Sequence, residues 1–280
     1  MTELRFDAAA NAIYHFVWDQ FCDWYIELSK GQMDEETRAV AGWAFDQILV
    51  MLHPFMPFIT EELWHAMAAP GQARDSDLIV ARWPDASVIE IDTEAKAEIN
   101  WLIALISKLR SDRVEMNVPP GARTDILVHN DANVRNGQVD HGARTDLVAR
   151  FKAHAGPLSR MARLDVVEFA MSGSAIDLRT GEAVNRSQYI SAKTVRFQIV
   201  VDNTTYSIPL EGVIDIAAEK ARLAKALTAA EKERDALGGR LSNPAFVEKA
   251  KPEAVAKARE DHAEKSAEAE KLKAALDRLA

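Results

Sequence analysis

The sequence predicts a mainly α-helical protein with three parts: a helical bundle at 1–121, a small α+β connector at 122–211 and a C-terminal antiparallel coiled-coil hairpin at 212–280. Three observations predict this fold class. Apolar residues recur every three or four positions in the first and last parts, which is the period of an α-helix. The middle part has short runs rich in β-branched residues, which are typical of strands. All six tryptophans lie at or before residue 101, so large core side chains become rare toward the C-terminus.

Four helices are predicted in the first part from their apolar periodicity and from their start and stop signals. They run from Phe6 to Leu28 before Gly31, from Ala41 to Leu52, from a Thr60 cap to Met67, and from an Asp92 or Thr93 cap to about Met116. Prolines break the chain near 53–57 and 118–121 because proline cannot donate to a helical ladder. We expect His53 to close a helix end rather than to bind a metal.

The connector is predicted to hold strands and one helix. The strands are Asp125–His129 and a hairpin from Val195–Val201 through Asp202-Asn203 to Thr204–Ile208. The helix lies near 144–154, and the polar stretches 130–142 and 171–188 are interpreted as loops.

The last part contains two heptad runs, from Ile216 to Leu241 and from Val255 to Leu279, separated by the turn signal at 241–244. Folding one run back on the other aligns the apolar positions, although two chains paired antiparallel would satisfy the same seam. The seam is thin in its middle, where Ala230 would face Lys265 and Arg234 would face His262. Residues 212–280 carry 14 Lys and Arg against 13 Asp and Glu, which makes them the least acidic part of the chain.

Composition limits the possible functions. The 280 residues include 34 Lys and Arg against 43 Asp and Glu, a net charge of -9, so any contact with nucleic acid must be local. The single cysteine, Cys22, excludes an internal disulfide or a cysteine zinc cluster, and we expect it to be a small core residue. No apolar run of membrane-spanning length and no secretory leader are recognised, so a cytoplasmic location without a membrane partner is expected. No glycine-rich phosphate loop, metal site or catalytic constellation is recognised either.

The sharpest polar feature is a stripe at the end of the fourth helix. Arg110, Arg113 and Asn117 are spaced three and four residues apart before a stiff Pro-Pro turn. Guanidinium groups there could hold phosphates or stack on unpaired bases, and an amide could read a base edge. The alternative, which spacing alone leaves equally open, is that the arginines pair with acids such as Asp112 or Glu115.

Four blocks of the sequence resemble the C-terminal half of bacterial valyl-tRNA synthetases, in the order of that family. They are FVWDQFCDWY at 16–25, LHPFMPFITEELW at 52–64, MNVPPG at 116–121, and LEGVID at 210–215 followed by the hairpin with LSNPAFV at its turn, 241–247. The second block also resembles the isoleucine and leucine enzymes, whereas the terminal arm favours valine. The resemblance implies an anticodon-binding bundle, a connector and a tRNA-binding arm, with tRNA-Val as partner and the chain a monomer.

The resemblance also implies that this portion carries no catalytic residue, no metal and no cofactor, because the His-x-Gly-His and Lys-Met-Ser-Lys-Ser signatures of the ATP site have no counterpart here. ATP and the valine–tRNA ligase reaction would belong to the parent enzyme, and the family's bundle would begin upstream of this chain. Arg110, Arg113 and Asn117 are then the expected anticodon-side contacts. The expected arm contacts, all off the seam, are Arg222, Lys225, Lys232, Arg240, Lys257 and Arg259. The competing hypothesis is a structural coiled-coil interaction protein with a helical docking domain and no role with RNA.

Overall fold

The computed structural model describes residues 5–31, 33–68, 73–129, 134–135, 138–139, 141–170, 174–184, 196–202 and 204–279. The chain forms two compact units that divide between Asn100 and Trp101. Helices dominate, and among the described helices none combines the length and the apolar character that crossing a membrane requires.

The first unit is helical. Helix α1 (Phe6–His15) continues through a π-helical stretch (Phe16–Ile26) into α2 (Glu27–Ser29), and it is followed by α3 (Glu35–Leu52), α4 (Pro57–Ala66), two 3-10 turns (Leu78–Val80 and Ala86–Val88) and the start of α5 (Thr93–Glu115). The caps follow from the sequence: Asp34 accepts from the amide of Thr37 at α3, and Asp92 accepts from two amides at α5. The predicted cap at Asp92 is therefore confirmed. The prediction that His53 ends a helix is confirmed as well, because His53 is the C-cap of α3.

Two local predictions for this unit are wrong. Helix α4 begins at Pro57 rather than at Thr60, because proline suits the first helical position, where no amide donor is needed. Thr60 is instead buried, and its hydroxyl donates to the carbonyl oxygen of Met56 over 2.8 Å. Cys22 is exposed, because the half-buried stripe of the first helix passes through Phe21 and Trp24 and leaves Cys22 beside it.

The core of the first unit lies between α3, α4 and the loop that follows. Leu49, Val50 and Leu78 are buried together. Arg74 secures this loop, because its guanidinium pairs with both oxygens of Asp46 at 2.7 and 2.8 Å and lies 4.0 Å from the ring centre of Trp64.

The second unit contains a mixed six-stranded sheet. Its strands are β1 (Thr124–His129), β4 (Leu164–Phe169), β5 (Ala175–Asp177), β6 (Ala183–Val184), β7 (Arg196–Val201) and β8 (Thr204–Pro209), and a separate ladder joins β2 (Val134–Arg135) to β3 (Gln138–Val139). The order in the sheet is β6-β5-β4-β1-β8-β7. Only β1 and β4 are parallel, and α6 (His141–Ala153) and α7 (Ala155–Met161) form the crossover between them. Every other pair in the sheet is antiparallel.

The sequence predicts part of this sheet correctly. Strand β1 and the β7–β8 hairpin are confirmed, and so is the helix near 144–154. Strand β4 and helix α7 are not predicted. The stretches 130–142 and 171–188 are not simply loops, because their described residues include β2, β3, β5, β6 and the start of α6. Residues 130–133, 136–137, 140, 171–173 and 185–188, as well as Val195, lie outside the described part of the chain.

Aromatic side chains form the centre of the second unit. The indole of Trp101 donates to the hydroxyl of Tyr206 over 3.2 Å and packs edge-on against Phe151. Burial raises the pKa of Tyr206. The second half of α5 belongs to this core, where it contributes the buried side chains of Leu102, Leu105, Ile106 and Leu109.

The C-terminal part is a pair of long helices. Helix α8 (Ile216–Leu241) and α10 (Pro252–Arg278) pack along each other, and α9 (Pro244–Lys249), which the turn signal does not predict, lies between them. Every predicted seam position is buried or half-buried. Two side chains of the thin middle of the seam contact residues near their predicted partners: Nζ of Lys265 lies 3.0 Å from the carboxylate of Glu233, and the ring of His262 lies against Gly238, whose missing side chain leaves room for it.

Candidate nucleic-acid interface

Arg113, the middle member of the predicted anticodon-side group, is buried. It lies in the last turn of α5 and is 7% exposed. Its Nη1 donates to Oγ1 of Thr124 over 3.0 Å, and its Nη2 donates to the carbonyl oxygen of Ala122. Burial first, and then the nearby charges of Arg163 and Arg123, lower the pKa of this guanidinium. Arg113 thus ties the end of α5 to the start of β1, and its burial argues against the predicted direct contact with RNA.

Arg110 is at the surface. Its Nε donates to the carbonyl oxygen of Met161 over 2.9 Å, which links α5 to the end of α7. Asp112, one of the acids considered as an alternative partner for the arginines, is fully buried and pairs with Lys108 at 2.8 Å. The end of α5 is therefore fixed by hydrogen bonds from arginines to carbonyl and hydroxyl oxygens.

Asn117 does not continue the helical stripe. Helix α5 ends at Glu115, and Asn117 has a φ of 52°, a left-handed conformation that asparagine tolerates better than most residues. Its side chain is exposed, with Nδ2 3.5 Å from Oε2 of Glu219 on α8. The structure thus keeps Arg110 and Asn117 at the surface and separates Arg113 from them.

Two arginines that the sequence analysis did not select lie beside this group. Arg160 and Arg163 are exposed, and together with Arg110 and Arg113 they line one cavity of about 310 Å³. The sequence does contain a signal for these residues, because two cations three residues apart at 160–163 could mark a helix end. This signal could not be interpreted, because the predicted helix ended near 154 and α7 was not predicted.

The six arm candidates are all exposed. Two of them already have partners: Arg222 forms an ion pair with the buried Glu219 at 2.5 Å, and the guanidinium of Arg240 lies 4.2 Å from the ring centre of Phe246. Within the described part of the chain, no ion pair is found for the other four, Lys225, Lys232, Lys257 and Arg259. Lys225 and Lys232 are seven residues apart and so share one face of α8.

One cluster in the first unit has the chemistry of a cation site. Nε2 of His65 lies 3.2 Å from a carboxylate oxygen of Glu61 and 3.2 Å from one of Asp77, and His53 lies 4.0 Å from Glu61. Imidazole and carboxylate groups bind divalent metals. The amide of Leu78 also donates to Glu61 over 2.8 Å and is the main reason that the pKa of Glu61 is lowered. The hydrogen bond from Leu78 to Glu61 thus fastens the 3-10 turn at 78–80 to α4.

Comparison with known proteins gives two family matches. Residues 1–128 match the family described as the anticodon-binding domain of tRNA ligase, and residues 215–280 match the valyl tRNA synthetase tRNA binding arm. These matches define the class of protein, one that carries domains of an aminoacyl-tRNA synthetase. They do not favour the competing hypothesis of a structural interaction protein.

The relatives narrow the class further. The chain is 52% identical over its full length to a valine–tRNA ligase of Rhizorhabdus wittichii, 46% identical over 98% of its length to one of Sphingopyxis alaskensis, and 43% identical over 99% of its length to one of Zymomonas mobilis. It spans 28 to 30% of the length of these relatives. The chain belongs to the valyl-tRNA synthetase family, of which it contains the anticodon-binding domain and the tRNA-binding arm.

Proposed function

We propose that this chain is the tRNA-binding C-terminal portion of a cytoplasmic valine–tRNA ligase, and that its partner is tRNA-Val. The observation that carries the proposal is the presence, in one chain, of an anticodon-binding domain and a valyl-tRNA synthetase arm, with relatives that are valine–tRNA ligases along its full length. The parent enzyme would use ATP to join valine to tRNA, and this portion would contribute binding without a catalytic residue, cofactor or metal of its own.

In this proposal the part from 1 to 121 meets the anticodon stem-loop. Arg110 and Asn117 are exposed and therefore accessible to RNA. Arg113 acts indirectly, because its hydrogen bonds to Thr124 and Ala122 hold the Pro-Pro-Gly turn that follows α5. A guanidinium that is already enclosed by protein is a poor ligand for RNA but a good support for its neighbours.

The arm would meet the outer corner of the tRNA through backbone phosphates. Lys225 and Lys232 are the strongest candidates, since both are exposed on one face of α8. Lys257 and Arg259 on α10 are exposed as well. Arg222 would first have to leave Glu219, so we assign it a smaller share of the binding free energy.

Binding at these surfaces would affect the distant reaction through orientation. Binding free energy gained far from the reacting atoms raises a rate when it positions the substrate for reaction. In the parent enzyme, loss of this portion should therefore reduce transfer of valine to tRNA more than it reduces activation of valine.

The direct test is binding of the chain to tRNA-Val and to a non-cognate tRNA at two salt concentrations in a filter-binding assay. We expect a preference for tRNA-Val and an affinity that falls as salt rises, because phosphate contacts release counterions. Equal affinity for both tRNAs would contradict the proposal. Light scattering tests the monomer: a stable dimer that disappears when 213–280 is deleted would favour the competing interaction-protein hypothesis.

A further inference from the structure

We infer that the cavity lined by the exposed Arg110, Arg160 and Arg163, with the buried Arg113 as part of its wall, is a binding pocket for a backbone phosphate of the bound RNA. This inference rests on the proposed function and extends the expected contact at Arg110 to two arginines, Arg160 and Arg163, that lie outside the residues 1–121 and outside the arm. The cavity lies within the second unit, between the end of α5 and the turn from α7 to β4.

The charge around the cavity is of one sign. Four of the nine residues that line it are arginines, and none of the nine is acidic. Two acids on the elements that border the cavity already have basic partners, because Asp165 pairs with Arg123 and Asp112 pairs with Lys108. Like charges gathered in a partly enclosed space repel one another unless an anion lies between them. The pKa of Arg113 is lowered mainly by burial, and the charge of Arg163 lowers it further.

The arginines are held in place before any ligand arrives. Arg113 uses two of its five N–H donors on Thr124 and Ala122, and Arg110 uses its Nε on Met161. Arg163 occupies a turn with a φ of 58°, which an arginine rarely adopts, and its carbonyl oxygen accepts from the amide of Thr124 over 3.1 Å. The backbone of Arg163 is therefore held in a sparsely populated conformation beside the cavity, and such conformations cluster at ligand-binding positions.

The size and position of the cavity favour a phosphate that belongs to RNA. Its volume of about 310 Å³ admits a phosphate group, and Val118 and Pro120 form stiff walls. Asn117, next to Val118, approaches Glu219 at the base of α8. An RNA that meets Arg110 and Asn117, as the proposed function requires, would lie close to the cavity because Arg110 and Val118 line it, whereas a free phosphate ion would gain nothing from these contacts.

The test uses the full chain with two substitutions, Arg160→Gln and Arg163→Asn. Asparagine is chosen because it tolerates the left-handed conformation at 163. The matched control, Lys152→Gln with Lys273→Gln, removes the same net charge from exposed positions of the same unit that do not line the cavity. Circular dichroism confirms that each variant is folded before binding is measured.

We expect the cavity variant to bind tRNA-Val about tenfold more weakly at low salt, as for loss of a charge-assisted hydrogen bond, and the slope of log affinity against log salt to fall by about 0.7 to 0.9. The control should change both quantities far less. Equal losses in the cavity variant and the control would overturn the inference, as would wild-type affinity in the cavity variant.

A second arm of the experiment separates the two sources of phosphate. Inorganic phosphate alone is titrated against the wild type and the cavity variant while the melting temperature is followed. A phosphate-dependent rise that the cavity variant loses, combined with unchanged tRNA binding, would identify a site for free phosphate and overturn the RNA assignment. If the wild type does not bind tRNA, the proposed function fails. If the wild type binds tRNA and the cavity variant binds it with the same affinity, the inference about the pocket fails and the proposed function stands.

Discussion

Replacement of Arg113 tests whether this residue supports the fold or contacts RNA. Arg113→Ala removes two hydrogen bonds from a buried guanidinium and leaves the carbonyl oxygen of Ala122 and the hydroxyl of Thr124 without this donor. A hydrogen bond to a charged group contributes about 1.5–3 kcal/mol, and the variant no longer has to bury a charge, so we expect the free energy of unfolding to fall by about 3 kcal/mol.

Urea unfolding followed by circular dichroism measures this loss, with Arg110→Ala as the surface control. The exposed Arg110 should change stability by about 1 kcal/mol or less, because it contributes one hydrogen bond to the carbonyl oxygen of Met161. The structural assignment of Arg113 is refuted if Arg113→Ala unfolds with the same free energy as Arg110→Ala. For the same reason, a double alanine variant at 110 and 113 cannot report on RNA binding unless its folding is measured first.

Three further predictions follow from other contacts. Tyr206→Phe removes the hydrogen bond from the indole of Trp101 while keeping the packed ring, and it should lower the free energy of unfolding by about 1 kcal/mol; an unchanged value would show that this bond contributes nothing. Lys225→Gln with Lys232→Gln should lower the slope of log affinity for tRNA against log salt by up to about 0.9 per phosphate contact, without altering the melting temperature. An unchanged slope would exclude this face of α8 as a phosphate-binding surface. Because the folded-state pKa of Glu61 is lowered, its stabilising effect is present near neutral pH and is lost as pH falls through that pKa. The difference in melting temperature between wild type and Glu61→Gln should therefore shrink below about pH 4, and a constant difference would contradict the proposed role of the Leu78 contact.

The long helices were predictable because their signals are local, whereas the short helices α7 and α9 were not predicted. Apolar spacing and a capping carboxylate at Asp92 define α5, and a repeat of apolar positions defines the two long C-terminal helices. The β7–β8 hairpin was predictable for the same reason, since its two strands are joined by a short turn. Each of these elements needs only information from neighbouring residues.

The missed features depend on partners far away in the sequence. Strand β4 pairs in parallel with β1, from which a crossover of two helices separates it, and no local turn announces such a pairing. Helical spacing could not predict that Arg110 is exposed and Arg113 is buried. The burial of Arg113 depends on Thr124 and Ala122, which lie beyond the Pro-Pro turn. The cavity arginines at 160 and 163 stayed hidden because the turn that carries them was not predicted.

Helix α5 places a limit on how this protein can be taken apart. It begins at Thr93 in one compact unit and ends at Glu115 in the other, so the boundary at residue 100 falls inside a continuous hydrogen-bonded rod. A truncation at that boundary would leave a frayed helix end on one piece and remove the Asp92 cap from the other. A separately expressed C-terminal piece should therefore start at or before Asp92. An exchange of either half with another protein would likewise have to include the whole of α5.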